Sequence, residues 1–233
     1  MHTHSEETMT ATMSNALTSP SFSTDPMAWF RARQRQVLIV GGVILGVGVI
    51  GGFLWRLQVN KETFAANALE QARNMADSPN GLGQSASMLQ RIIDTYGGTD
   101  AAQEAVLTLA QVRMINGQNQ LAAAALQDFI KKGPRAKYAA PAYGLLGAAL
   151  EETGHAAEAA ADYMAASKAA DVGPLKAQYL VNAARAYLNA GEQPKALDAL
   201  RTVVKDYDKT PSATEATLRL SELTKGAEPV ATH

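Results

Sequence analysis

The chain has no cysteine. That single absence removes disulfides, thiolate metal sites and cysteine nucleophiles together. It says little about compartment, because a helical domain of this size can stand without covalent staples. Aromatic residues make up only 6% of the 233, so any core must be built mainly from aliphatic and small side chains. There is no excess of charge either: the formal net charge is −1, which argues against a nucleic-acid partner, since that would require a basic stripe. Phosphate-cradling glycine loops, H-E-x-x-H and G-x-S-x-G are all missing, and with them the commonest sequence signs of nucleotide, zinc and acyl-transfer chemistry. The balance of 47% hydrophobic and 18% charged residues is that of a globular protein rather than a disordered one.

What is present is alanine and helical periodicity. In 140–170, small or apolar residues recur at Tyr143, Leu146, Gly147 and Leu150, then at Ala159, Tyr163 and Ala166. These are the i, i+3, i+4, i+7 spacings of a helix stripe, and they predict a helical hairpin turning at Gly154. One such hairpin is too small to bury both stripes, so it needs neighbours of the same kind.

The neighbours are there. Turn positions fall at Asn80, Gly117, Gly154 and Gly191, 37 residues apart. Second helices share a small column at Ser85, Ala122, Ala159 and Ala196, and a larger one at Leu89, Leu126, Tyr163 and Leu200. A third column runs Ile92, Phe129, Ala166, Val203. First helices share Ala72, Leu109, Leu146, Ala183 and Leu220, each followed by a mostly small neighbour. The small column lets the two helices of a hairpin touch, and the large one fills the gap to the next hairpin. Gly97-Gly98, Gly133-Pro134, Gly173-Pro174 and Lys209-Thr210-Pro211 separate the units. The segment 212–224 reads as a lone capping helix with a polar side.

Ahead of the repeats lies one long apolar run. Residues 37–55 hold no charge or strongly polar group. As a helix at about 1.5 Å per residue this run covers roughly 28 Å, close to the hydrocarbon thickness of a bilayer. Asp25-Pro26 is a helix-start signal, and Trp29 and Trp55 sit near the two ends, where amphipathic rings favour the interface. Arg31, Arg33 and Arg35 precede the span, against Arg56 and Lys61 after it, so the positive-inside bias puts the N-terminus in the cytoplasm. A cleaved signal peptide is the competing reading. The run is longer than a signal core, and Trp55-Arg56-Leu57 is no cleavage site, so an uncleaved anchor is favoured. Gly42 and Gly46 are four apart, as are Gly48 and Gly52; such pairs suit close helix packing in a membrane, although glycine is also simply common there.

The expected organisation is therefore all-α. A disordered cytoplasmic tail (1–25) leads into a juxtamembrane and transmembrane helix (26–56). A domain of about four helical hairpins and a cap follows (57–225), then a C-terminal tail (226–233). Met27 is an alternative start, and His2 and His4 on the tail read as incidental. The span would contact membrane lipid through residues 37–55.

The columns resemble the tetratricopeptide repeat. Tyr143, Leu146-Gly147, Leu150, Gly154, Ala159, Tyr163 and Ala166 match its pattern of aromatic, Leu-Gly, large residue, turn glycine, alanine, aromatic, alanine. Tyr187, Gly191 and Ala196 keep part of it in the following unit, as do Leu109, Gly117, Ala122 and Pro134 in the preceding one. The first unit departs most, with Arg73 and Asn80 at small or glycine positions. The resemblance covers about residues 64–224 and implies an α-solenoid whose first helices line a concave groove. Counted along those helices, the groove residues are Glu104, Thr108 and Gln111, then Gly144, Ala148 and Glu151, then Asn182 and Arg185, with Glu215 and Arg219 in the cap. A carboxylate clamp of the kind some such domains use is not expected, because Gly144 and Ala148 stand where Lys and Asn are required. The middle of the groove is expected to be small and smooth.

One membrane helix followed by such repeats is also similar in layout to the YfgM-like envelope proteins of Gram-negative bacteria. That resemblance implies an auxiliary role beside a secretion translocon and periplasmic chaperones.

No catalytic set emerges. His155 and Glu158 lie in a turn and a first helical turn, where the helix dipole accounts for the glutamate. Glu151-Glu152 reads as a solvated helix end. Lys131, Lys132, Arg135 and Lys137 follow a helix C-terminus, where cations are favoured; anionic lipid or an acidic partner is the alternative. The function expected is non-enzymatic, with no cofactor, metal, nucleic acid or small-molecule substrate. It is a protein–protein interaction scaffold in the bacterial inner membrane, accessory to a secretion-type, bioenergetic or photosynthetic complex. Its repeat domain would face the periplasm and meet other membrane or periplasmic proteins. The alternative is a stand-alone periplasmic peptide-binding or chaperone-like module.

Overall fold

The structure is a computed structural model and describes residues 34–78 and 80–225. The expected tails, the helix start at Asp25-Pro26, Trp29, Arg31 and Arg33 lie outside these residues. Every regular element among the described residues is a helix: α1 Gln34–Ala76, α2 Leu82–Thr95, α3 Asp100–Ile115, α4 Asn119–Lys131, α5 Ala136–Glu152, α6 Ala156–Ala169, α7 Gly173–Asn189, α8 Gln193–Asp206 and α9 Pro211–Leu223. Internal packing divides the chain into two units, 1–56 and 57–233.

Where the sequence pattern suggests a membrane helix and then a separate first repeat helix, the structure has one element, α1, of 43 residues. Between Leu57 and Ala76 there is neither glycine nor proline to end it. Its stretch Gly42–Ala76 holds an 18-residue window with a mean hydropathy of 1.6, and none of that window is buried. By length and composition it can cross a membrane.

The second unit is built as the 37-residue period requires. Asn80, Gly117, Gly154 and Gly191 all take positive φ, at 65°, 73°, 82° and 76°. This left-handed conformation is cheap for glycine and tolerable for asparagine; at Asn80 the turn closes differently, the N–H of Gly81 donating to the Ser78 carbonyl at 2.9 Å. The three glycine turns close alike: the N–H of Gln118, His155 and Glu192 donates to the carbonyl of Arg113, Leu150 and Tyr187, at 2.8, 2.9 and 2.8 Å. These are the long hydrogen bonds of a Schellman ending.

The columns are the core. Ser85, Ala122, Ala159 and Ala196 are fully buried, and Leu89, Leu126, Tyr163 and Leu200 nearly so. Ala72, Leu109, Leu146, Ala183 and Leu220 are buried opposite them. Ser85 is the polar member of its column, and its hydroxyl donates to the Ala72 carbonyl at 2.7 Å, so no buried donor is left unpaired.

Neighbouring units are tied by polar groups at the loop ends. Glu62 of α1 accepts from the backbone N–H of Asp100 and Ala101, both at 2.9 Å. A carboxylate there satisfies two orphan donors and meets the positive end of the helix dipole. Thr99 caps the same helix, accepting from Ala102 N at 3.1 Å. Farther along, Ser167 donates to the Lys176 carbonyl at 3.0 Å. The array ends in α9, which buries Ala213, Ala216 and Leu220 and leaves Leu218 exposed.

Candidate functional site

The first helix of each hairpin, namely the second half of α1 and then α3, α5, α7 and α9, carries the ten residues expected in a groove. Seven of the ten have assigned partners or close contacts, mostly to one another. On α3, Glu104 accepts from Arg73 of α1 at 2.6 Å, and Thr108 donates to the Glu104 carbonyl at 3.1 Å. Gln111, one turn on, is exposed. In the cap, Arg219 donates to Glu215 at 3.1 Å. Asn182 on α7 and Ala148 on α5 are half-buried.

Two expectations change here. Gly144 was expected to leave the middle of the groove bare, yet it is buried. A Cβ built on it would stand 2.5 Å from Cε1 of Tyr179 and 2.9 Å from its hydroxyl oxygen. The α7 tyrosine occupies the space that the glycine vacates. Glu151, expected as a solvated helix end, is instead a largely covered hub with 14% of its side chain exposed. It accepts from the Tyr163 hydroxyl at 2.8 Å, from Arg185 Nη2 at 2.9 Å and Nε at 3.4 Å, and from Asn189 at 3.5 Å. One carboxylate therefore joins α5, α6 and α7.

The electrostatics of this hub oppose acid–base catalysis. Burial pushes the Tyr163 hydroxyl well above its ordinary range, and its hydrogen bond to Glu151 adds to the rise. The bond to Glu151 also raises Arg185 further. A phenol held protonated and a guanidinium held charged cannot exchange protons near neutrality. Asp162 on α6 is pushed up to about 6, chiefly by burial and secondarily by Glu158, but it stands in no cluster. Among the described residues no group of three or more His, Asp or Glu side chains is placed to hold a metal ion. His155 Nδ1 lies 3.0 Å from the Thr153 hydroxyl.

Two of the four cations after α4 are committed internally. Arg135 bonds both Asp100 and the Gly98 carbonyl, and Lys137 lies 3.0 Å from Asp100. The Lys137 hydrogen bond, with help from Arg135 and against burial, holds the Asp100 carboxyl below its ordinary value. Lys131 and Lys132 are both exposed at the helix end.

Sequence reasoning missed an opening among the first repeats. Between α2, α3 and α4 lies a cavity of about 470 Å³ with Ile93, Val106, Leu109 and Phe129 in its walls and Gln90, Gln103, Asp128 and Lys132 among its polar lining. It arises where three helices diverge over the Gly97-Gly98 and Gly133-Pro134 linkers, and no single repeat column encodes it. In the apolar span, a Cβ added to Gly42, Gly46, Gly48 or Gly52 would meet nothing within 4 Å.

Residues 28–170 match the family model described as the tetratricopeptide repeat-like domain. The chain belongs to this family. The tetratricopeptide-like repeats also match crystal structures described as putative kinesin light chain nearly identical TPR-like repeats from Podosopora anserina. For a form of that protein carrying one substitution the TM-score is 0.56 at 20% identity, over 69% of this chain and 84% of that one. The form without the substitution gives 0.56 at 19%, over 69% and 85%. At such identity the likeness speaks to the fold alone. No curated protein matches the chain. Tetratricopeptide-like repeats of this kind form a protein-interaction scaffold.

Proposed function

We propose that this protein is a single-pass membrane scaffold without catalytic activity, anchored by α1, whose repeat domain docks other proteins on the periplasmic side of a bacterial inner membrane. The observation that carries the reading is the joining of two unlike surfaces in one chain: an apolar helix with nothing buried against its span, and repeats whose polar residues bond one another instead of converging on a substrate. The family match begins at residue 28, ahead of the span, which supports treating anchor and repeats as parts of one functional unit. The orientation rests on the arginines before the span. Within this reading the protein is an accessory subunit of a larger complex, of secretion or bioenergetic type.

A stand-alone peptide-binding module has less support. Glu151 holds Arg185 and Glu215 holds Arg219, so two groove cations that would meet a peptide carboxylate are already neutralised. The test is purification of the full chain from native membranes in mild detergent, with mass spectrometry of what accompanies it. A discrete set of co-purifying membrane or periplasmic proteins is expected; a chain recovered with no partner overturns the scaffold reading.

A further inference from the structure

Two junctions of the array match in register but not in bulk. Two periods of 37 residues on from Gln90, Val106 and Gly133, in the walls of the cleft between α2, α3 and α4, come Met164, Leu180 and Tyr207. Those three close the junction of α6, α7 and α8. Leu180 is buried in its core, and Met164 and Tyr207 pack against that core. Tyr207 Cδ1 lies 3.7 Å from a Cβ built on Gly173, in the linker before α7. At the earlier junction each of the three is replaced by a smaller or more polar residue, and about 470 Å³ stays open beside Gly97-Gly98, the linker before α3. Close-packed interiors leave few voids of that size. The repeat itself thus shows what would fill this one: an aromatic ring with aliphatic company.

Charge says what should accompany the ring. Lys132 lines the cleft at its linker end and is exposed, and among the described residues no ion pair engages it. Two periods on, the same position holds Asp206. Asp128 lies one turn before Lys132 on the same wall, while Lys131, Arg135 and Lys137 surround that end, the last two sharing Asp100. Cations therefore outnumber carboxylates there, which favours an anionic visitor. Gln103, also in the wall, accepts from the Arg135 N–H at 2.9 Å and so offers the cleft chiefly its amide donors.

We propose that the cleft between α2, α3 and α4 docks an acidic, aromatic segment of a partner protein, its ring taking the room that Tyr207 fills two hairpins on and its carboxylates meeting Lys132. This docking site rests on the protein-docking reading above and gives it one surface; it needs neither the anchor nor the compartment. A cleft of this volume lies within the range that takes a few large side chains or a small ligand. The excess of cations at its linker end favours the acidic segment over a neutral one.

The natural absence of cysteine supplies a clean reporter. Ala125→Cys in the cleft wall and Ala161→Cys, exposed on α6, are made singly in the full chain in mild detergent, and alkylation by a maleimide dye is timed. The probe is a synthetic ten-residue peptide with one tyrosine flanked by glutamates. It should slow alkylation several-fold at Ala125→Cys and leave Ala161→Cys unchanged. Replacing its tyrosine by alanine, or its glutamates by lysines, should remove the protection. Lys132→Glu should weaken protection several-fold. So should Gln90→Met with Val106→Leu, which copy the closed junction and should hold or raise the melting temperature. No protection, equal protection by the lysine form, or protection indifferent to Lys132→Glu overturns the docking site. Protection by free indole as strong as by the peptide makes it a small-molecule site, and protection that grows with protein concentration alone makes the occupant a second copy; either result overturns it too. Purification in mild detergent separates this failure from that of the scaffold. Co-purifying proteins without peptide protection overturn the cleft alone, whereas protection without co-purifying proteins supports the cleft and overturns the accessory-subunit reading.

Discussion

The Tyr179 ring lies in the space a side chain at Gly144 would need, with 2.5 Å separating a built Cβ from ring atom Cε1. This is a cross-unit fit between α5 and α7, and it makes the glycine a packing requirement rather than a bare groove position. Gly144→Val should therefore force the ring out and destabilise the domain by about 1–3 kcal/mol, the usual range for overpacking. Adding Tyr179→Ala should recover part of that loss. Urea denaturation of the four members of this cycle measures the coupling.

Glu151 serves three donors on two neighbouring helices. Glu151→Ala leaves the buried Tyr163 hydroxyl without an acceptor and should cost about 1–3 kcal/mol. Arg185→Ala removes a side chain that is 47% exposed and should cost at most about 1 kcal/mol. Thermal melts of the two variants should rank them in that order; equal losses would mean the hub is not organised by its carboxylate.

The left-handed turns should respond to backbone strain alone, because a Cβ at Gly117, Gly154 or Gly191 meets open space. Gly154→Val should lose about 1–2 kcal/mol from backbone strain. Asn80→Gly should hold or raise stability, since it removes a Cβ from a φ of 65°. Denaturant midpoints of the pair check the sign.

Asp162 supplies a pH dependence. Its folded pKa of about 6 lies above the ordinary 3.8, so the folded chain holds that proton more tightly than the unfolded one. Below 3.8 both states are protonated and burial of the group is harmless. From pH 3.8 up to about 6 the unfolded chain gives up the proton that the folded chain keeps, so stability falls across that window, and above 6 the half-buried carboxyl is ionised and the loss is complete. Asp162→Asn should match the parent in acid and melt higher above pH 6, as melting curves across that window will show.

How much of this could be read from the sequence follows from the range of each interaction. The turns at Gly117, Gly154 and Gly191, and the columns through Ala122, Leu126 and Phe129, are local and repeat, so their period exposes them. Even Asn80 is legible, because asparagine is the residue that most readily replaces glycine at positive φ. The Glu151 hub was not, since its partners lie 12 to 38 residues away and the column that holds Tyr163 is apolar in its other members and names no polar partner. Tyr179 over Gly144 was hidden for the same reason: small residues predict a close approach but not which side chain makes it. The continuity of α1 was obscured by the change in hydropathy at Arg56, across which the helix runs on unbroken.

The most direct measurement of the account as a whole is photo-crosslinking in intact membranes from probes at Gln111, Ala148 and Asn182, with adducts identified by mass spectrometry in the carbonate-resistant pellet. An anchored scaffold predicts discrete adducts to one or a few other proteins, recovered with the membrane. A chain that washes out of the membrane, or one that gives no adduct from any of the three positions, would contradict it.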